Sequence, residues 1–296
     1  MKRLYCSLRG GMGNQLFQVA HGLALAEQFS AELVIDDGWF RGRRLPFETA
    51  RTCCLPWFVM DARLASPAER WVLAVVDLAL KLQKRLRWRL LPIHHEALPL
   101  SPRRLQRAHA VVVHGHWQDH GLMARQRPLL QQQFQVRPGL LSATTQAWIE
   151  TIASTPNSVF VHVRRGDYVS DRRTAQAHGV CPPEYYARAL TALRQRLGAV
   201  PLYLFSDDMD WAQQHLPLQD WSVTAVQAAR WERAELVDLA EFELMRRARH
   251  GVLANSSFSW WAAFLSEAPG SVIIAPKQWF SWGAPQALYG PDWLLL

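Results

Sequence analysis

A chain of 296 residues, 49% hydrophobic and 20% charged, is long enough for two domains of ordinary size and argues against disorder. Its net charge of +8, carried almost wholly by arginine, suits an anionic partner: a nucleotide, a nucleic acid or an acidic membrane surface. Four cysteines without zinc-like spacing, no signal-peptide pattern and no apolar run near ~20 residues imply a reduced, cytoplasmic protein, or one peripheral on the inner face of a membrane.

Leu4–Leu8 reads as a strand, Arg9-Gly10-Gly11-Met12-Gly13-Asn14 as a loop, Gln15–Phe29 as a helix and Leu33–Asp36 as the next strand. This βαβ opening predicts a parallel sheet. The glycines permit close approach of a ligand to the backbone, or serve packing alone. No Lys-Ser/Thr follows them and the spacing is not G-x-G-x-x-G, so the loop is neither a Walker A nor a dinucleotide fingerprint.

From Ser66-Pro67 to about Leu91 the pattern is helical, with Trp71, Val72, Val75, Val76, Ala79, Leu82 and Leu86 on one side. Its later part carries Lys81, Lys84, Arg85, Arg87 and Arg89. Two readings stand: a helix whose apolar stripe faces the core, or a basic amphipathic helix over 71–91 that meets an anionic bilayer. Leu91–Arg107, with three prolines, reads as a loop, and Val111–Val113 as a short strand ending in His114-Gly115-His116-Trp117-Gln118.

A boundary falls near Val136–Gly139, giving one α/β domain over 1–138 and a second over 139–296. In the second, strands near 158–163, 202–205, 222–226, 252–254 and 272–274 alternate with helices near 141–152, 183–197, 209–215, 233–247 and 258–266. The fold class expected is α/β, with two Rossmann-like, doubly wound domains.

Three of these strands end in polar clusters: His162 to Asp167, Ser206-Asp207-Asp208 and Asn255-Ser256-Ser257. In a parallel sheet all three ends share one edge, where ligands bind. Arg164 and Arg165 need anionic partners, and Asp167 can neutralise only one of them, which leaves a guanidinium for phosphate. Asn255, Ser256 and Ser257 open a helix whose N-terminus suits an anion, or simply cap it. A carboxylate at a neighbouring strand end suits ribose hydroxyls or the edge of guanine. Together these describe a nucleoside diphosphate pocket.

At these residues the sequence resembles the bacterial alpha-1,2-fucosyltransferases of glycosyltransferase family eleven. The resemblance rests on Gly10–Gln18, His114–Gln118, His162–Tyr168, Phe205–Asp208, Ala254–Trp261 and Ile274–Phe280, in order over nearly the whole chain. It implies a GT-B-like fold, two domains facing a central cleft, and inverting, metal-independent transfer of L-fucose from GDP-fucose to the 2-hydroxyl of a galactoside. Such chemistry belongs to O-antigen or capsule synthesis, with a galactose-terminated or lipid-linked glycan as acceptor. Arg164 would bind the β-phosphate, His162 and Asp208 the guanine side, and Ser256, Ser257 and Phe258 the diphosphate and base. Gly11, Gly13, Asp207 and Asn255 complete the donor-binding set, and Asn14 would lie near the transferred sugar. Here His116 and Asp119-His120 stand where members often have Tyr and Ser-Glu. The segment His116, Trp117, Gln118 and Asp119 is the acceptor candidate.

The transition state is oxocarbenium-like, and Arg164 with the helix N-terminus would stabilise charge gathering on the leaving diphosphate. Asp167 is the candidate base, with Asp119 or Glu184 behind it; late proton transfer needing no strong base is the alternative. Trp117 and Trp282, in loop-like contexts, are candidates for sugar stacking, whereas Trp148, Trp260 and Trp261 belong to the core. Three other readings stand beside this one. Asp208-Met209-Asp210 would hold a divalent metal in an Asp-x-Asp glycosyltransferase of the other major fold. The basic helix would carry a nucleic-acid binder. The same fold with dead chemistry would be a lectin-like binder of GDP-sugar.

Overall fold

The strand Val159–Val163 is buried at all five positions, and its neighbour Leu202–Ser206 at the first four. Covered on both faces, such strands appear in sequence as continuous aliphatic and aromatic runs rather than as an alternation. A computed structural model describes residues 2–41, 51–86, 93–96, 99–171, 175–176, 178–283 and 286–296, side chains excepted at 77, 79–86, 167, 170 and 286.

The chain divides into two compact units, Met1–Val136 and Arg137–Leu296, a division two residues before the expected 138/139. In the first unit the strands are β1 (Arg3–Ser7), β2 (Glu32–Asp36), β3 (Arg63–Leu64), β4 (Ile93–His95) and β5 (Ala110–His114), in the order β3-β2-β1-β5-β4. In the second they are β6 (Val159–Val163), β7 (Leu202–Ser206), β8 (Val223–Val226), β9 (His250–Val252), β10 (Ile273–Ala275) and β11 (Leu294–Leu295), in the order β11-β10-β9-β6-β7-β8. Every pairing is parallel. The expected α/β class with two parallel-sheet units is what the chain forms.

Packing follows from these strands. Val159, Val161, Val163, Leu202 and Leu204 join Tyr185, Tyr186, Ala189, Leu190 and Leu193 of the helix Pro183–Leu197 in one buried cluster. Each such aliphatic side chain contributes about 1.5–3 kcal/mol relative to exposure. The helix Ser257–Ser266 is apolar on every side and buried from Ser259 to Leu265. There the indole N–H of Trp260 donates to the carbonyl of Leu288 at 2.7 Å, which satisfies the one polar atom of that side chain.

Three local expectations need correction. The first helix begins at Met12, not Gln15. Gly10, at φ +81°, makes the turn by itself and Gly11 is the extended N-cap, so Gly13 and Asn14 lie inside the helix. Leu91–Arg107 is not all loop: β4 pairs with β5 through Ile93↔Val112, and Pro102 opens the helix Pro102–Arg107. The long helix runs Pro67–Leu86, and residues 87–90 lie outside the described residues. Its apolar stripe does not face the core as a whole: Leu73 is buried, while Trp71, Val72, Val75 and Leu78 are exposed.

Candidate functional site

β9, β6 and β7 are adjacent and parallel, so their carboxyl ends lie on one edge of the second sheet. The register Val163↔Ser206 sets Arg164 and Arg165 beside Asp207 and Asp208. Arg164 Nη1 donates to Asp207 Oδ2 at 2.9 Å, and the backbone N–H of Arg165 donates to Asp207 Oδ1 at 2.8 Å. Arg165 Nε reaches Asp208 Oδ2 at 3.1 Å, and its guanidinium lies 3.8 Å from the centroid of the Trp211 ring. Each arginine thus has a carboxylate from the neighbouring strand end. The Asp167 side chain lies outside the described residues.

The two arginines are not equivalent. Arg165 is held by an ion pair and an aromatic face, and Asp208 also caps the helix Met209–His215, accepting from the N–H of Trp211 at 3.3 Å. These are bracing contacts, and they occupy the Asp208 carboxylate that an Asp-x-Asp metal site would require. Among the described residues no group of three or more His, Cys, Asp or Glu could hold a metal ion. Arg164 is steadied on one side by Asp207 and lies 5.7 Å from the Tyr168 ring. Gly166 opens the helix Gly166–Ser170, where a Cβ would sit 2.5 Å from Asp207 Oδ2, so the turn needs glycine for this ion pair to close.

His162 is buried at the end of β6, with its ring 5.9 Å from that of Phe258 and its Nδ1 without a hydrogen-bond partner among the described residues. Burial, assisted by the nearby Arg164 charge, pushes its pKa down to about 3, so the imidazole is neutral. Glu241, on the helix Val237–Arg247, joins the same neighbourhood. Its enclosure, then Asp238, raises its carboxyl to about 8, with Asp207 adding to the rise, while a bond from the Ala228 N–H and the Arg164 charge oppose it. Sequence reasoning missed Glu241 because Asp238 and Glu241, three apart on a helix, read as an ordinary solvated face.

Ser256 is the N-cap of Ser257–Ser266; its hydroxyl accepts from the Phe258 N–H at 3.4 Å. Ser257 and Phe258 form the first turn of that helix. The Asn255 side chain is engaged with neighbouring loops. Its amide nitrogen donates to the carbonyls of His178, Gly179 and Trp279 at 3.0, 3.2 and 3.3 Å, and its Oδ1 accepts from the Cys181 thiol at 3.4 Å. It fastens loops around the site.

In the first unit, Asn14 and Gln118 meet: the Gln118 amide donates to Asn14 Oδ1 at 3.0 Å. The glycine turn is tied down by Gln18, which accepts from the Arg9 N–H at 2.9 Å, and by Gln15, which donates to the Gly10 carbonyl at 3.0 Å. Gly11 and Gly13 supply the N-cap and the first turn. Glu96 organises the segment after β5, accepting from the backbone N–H groups of His116 at 2.7 Å and Trp117 at 2.9 Å.

Trp117 is half-buried. It adopts φ +56° and packs near-parallel to His21, at 3.8 Å between ring centroids, and to His94, at 5.0 Å. His116 is exposed beside it. Asp119 caps the helix His120–Ala124, accepting from Leu122 N–H at 2.8 Å, and Glu184 is exposed on the first turn of Pro183–Leu197. Trp282 is exposed and stacks on Phe280 at 4.7 Å. Trp260 and Trp261 are fully buried, whereas Trp148 is only half-buried, against Trp231. No helix among the described residues is long and apolar enough to cross a membrane.

Comparison with known proteins places this geometry in context. The sequence pattern of Glycosyl transferase family 11 matches residues 105–296. The chain is 26% identical over 314 residues to the "O-antigen biosynthesis glycosyltransferase WbnK" of Escherichia coli, covering 99% of this chain and 100% of that protein. It is 27% identical over 290 residues to an "Alpha-1,2-colitosyltransferase" of Escherichia coli, with 95% and 93% covered. The crystal structure of the fucosyltransferase NodZ from Bradyrhizobium superposes with a TM-score of 0.53 over 89% of this chain and 92% of that one, at 18% identity. That likeness is one of fold, the GT-B type of α/β architecture.

Proposed function

The chain belongs to glycosyltransferase family 11, and from that membership we propose that it transfers L-fucose from GDP-fucose to the 2-hydroxyl of a galactoside. The reaction is alpha-1,2-forming, inverting and metal-independent, and serves assembly of a surface glycan such as an O-antigen. The observation that carries this reading is Arg164, steadied by Asp207 at the strand edge that also bears the N-terminus of Ser257–Ser266.

As the bond from the sugar to GDP breaks, negative charge grows on the β-phosphate. Arg164 is oriented before substrate arrives and answers that charge without reorganisation, and the positive end of the helix that begins at Ser257 and Phe258 adds to it. The neutral His162, with Phe258 and Phe242 near it, provides a dry wall for the guanine side, and Glu241 supplies a carboxyl there. With cationic charge supplied by arginine, no divalent metal is required. In the first unit, Asn14, Gln118 and His116 are the acceptor-side candidates. The acceptor hydroxyl loses its proton to Asp167, or late in the reaction without a strong base.

A second donor is favoured by one specific finding, the relative named as a colitosyltransferase. Colitose is fucose without its 3-hydroxyl, so the two donors share the GDP contacts and differ only at the sugar. The experiment supplies GDP-fucose or GDP-colitose with lactose, with and without EDTA, and reads the product linkage by NMR. A fucosylated product, alpha-linked at the galactose 2-hydroxyl and indifferent to chelator, supports the proposal. Turnover of GDP-colitose alone replaces the donor, and loss of activity in EDTA rejects metal independence.

A further inference from the structure

The helix Pro67–Leu86 is anchored to the first unit by one side. Leu73 is buried with Val34 and Ala65, against Tyr5 and Val112. Around it, Glu69 accepts from Arg63 Nη1 at 2.8 Å and from the Tyr5 hydroxyl at 3.1 Å, and Arg70 Nη1 donates to Asp37 at 3.0 Å. These contacts determine which side of the helix meets the sheet. At 3.6 residues per turn, Trp71, Val75 and Leu78 fall on one line turned away from Leu73. All three are exposed, at 72%, 51% and 60%, with Val72 beside them at 52%.

An exposed line of one tryptophan and three aliphatic side chains is unusual on a surface otherwise rich in arginine. In sequence the same spacing continues to Leu82, and Lys81, Lys84, Arg85, Arg87 and Arg89 follow. The line is one helix wide, too narrow for the roughly 800 Å² per partner of a stable dimer. Its chemistry, apolar with an indole and followed by a cationic run, matches the boundary between acyl chains and anionic headgroups.

We propose that this face docks on an anionic lipid bilayer. Trp71, Val75 and Leu78 enter the headgroup boundary, and the cationic charge that the sequence supplies from Lys81 onward adds attraction to lipid phosphates. The chain then lies on the membrane without spanning it. This face belongs to the first unit and the donor-site candidates to the second, and the proposal does not depend on which sugar is transferred.

The test is flotation of the full chain with vesicles of phosphatidylglycerol and phosphatidylethanolamine, and separately with vesicles of phosphatidylcholine alone. The chain is expected to float with the anionic vesicles and to be released as salt is raised. Val75→Asp, at an exposed position, should reduce partitioning at least tenfold with an unchanged melting temperature. Lys81→Gln, whose position flanks the line at helical spacing, should reduce it about fivefold. Failure to float, or equal flotation of Val75→Asp, overturns the proposal. A dimer in gel filtration that Val75→Asp dissolves, without flotation of the native chain, would assign the face to a second copy instead.

Discussion

Asp207 holds Arg164 through one carboxylate oxygen, Oδ2, at 2.9 Å, and so points a guanidinium along the edge where three strands end. Its other oxygen takes the backbone N–H of Arg165 at 2.8 Å, which locks the turn that carries both arginines. The phosphate-binding candidate is therefore oriented by a residue 43 positions further along the chain.

Arg164→Ala should lower kcat by about 10²–10³ and weaken GDP binding, since one pre-oriented donor to developing charge is lost. Arg164→Lys should recover little, because a point charge cannot reproduce the planar fork. Steady-state kinetics with GDP titration calorimetry checks both. Turnover near the native rate in Arg164→Ala would remove the diphosphate from this position.

Arg165→Ala should behave differently. Its partners, Asp208 and the Trp211 ring, are structural, so the expected loss is about 1–3 kcal/mol of stability with GDP affinity within a few-fold of native. Chemical denaturation beside calorimetry separates the two effects. Equal losses of affinity in Arg164→Ala and Arg165→Ala would show that both arginines grip the ligand.

Glu241 makes stability depend on pH in a defined direction. Its carboxyl is raised from 4.5 to about 8 in the folded protein, so the folded state retains a proton that the unfolded state releases. Its favourable contribution is full below about 4.5 and is lost as pH rises toward 8. Glu241→Gln should therefore be more stable than the native chain at pH 8, by a few kcal/mol at most, and the difference should shrink to nothing near pH 4. Melting temperatures of the two chains across that range decide it; parallel profiles would mean Glu241 is ionised throughout.

Glu96 positions the segment proposed to meet the acceptor. Glu96→Ala leaves the N–H groups of His116 and Trp117 without their acceptor and loosens a loop that already holds Trp117 at φ +56°. The expected result is a rise of about tenfold in KM for the acceptor, with GDP affinity unchanged. A change in GDP affinity alone would contradict the assignment.

Much of this architecture was legible in the residues themselves. The run Val159–Val163, the N-capping Ser256 and the apolar helix Ser257–Ser266 are encoded locally, by β-branched bulk, by capping chemistry and by period. The short strands β3, β4 and β11 were not legible, because two or three residues carry no pattern of their own and become strands only through register with a neighbour. The surroundings of Trp117 were not legible for a related reason. Its neighbours His21 and His94 come from distant parts of the chain, and only the fold brings them against its ring.

The sequence by itself determined the strand ends that carry chemistry, their common edge and the family to which they point, since alternation of strand and helix dictates a parallel sheet. The tertiary structure decided which charged group meets which. The parallel register of β6 with β7 places Asp207 against Arg164 and Asp208 against Arg165, separating the proposed phosphate ligand from a structural brace. Ion-pair partners are selected by distance in space, and no local pattern in either segment records that distance.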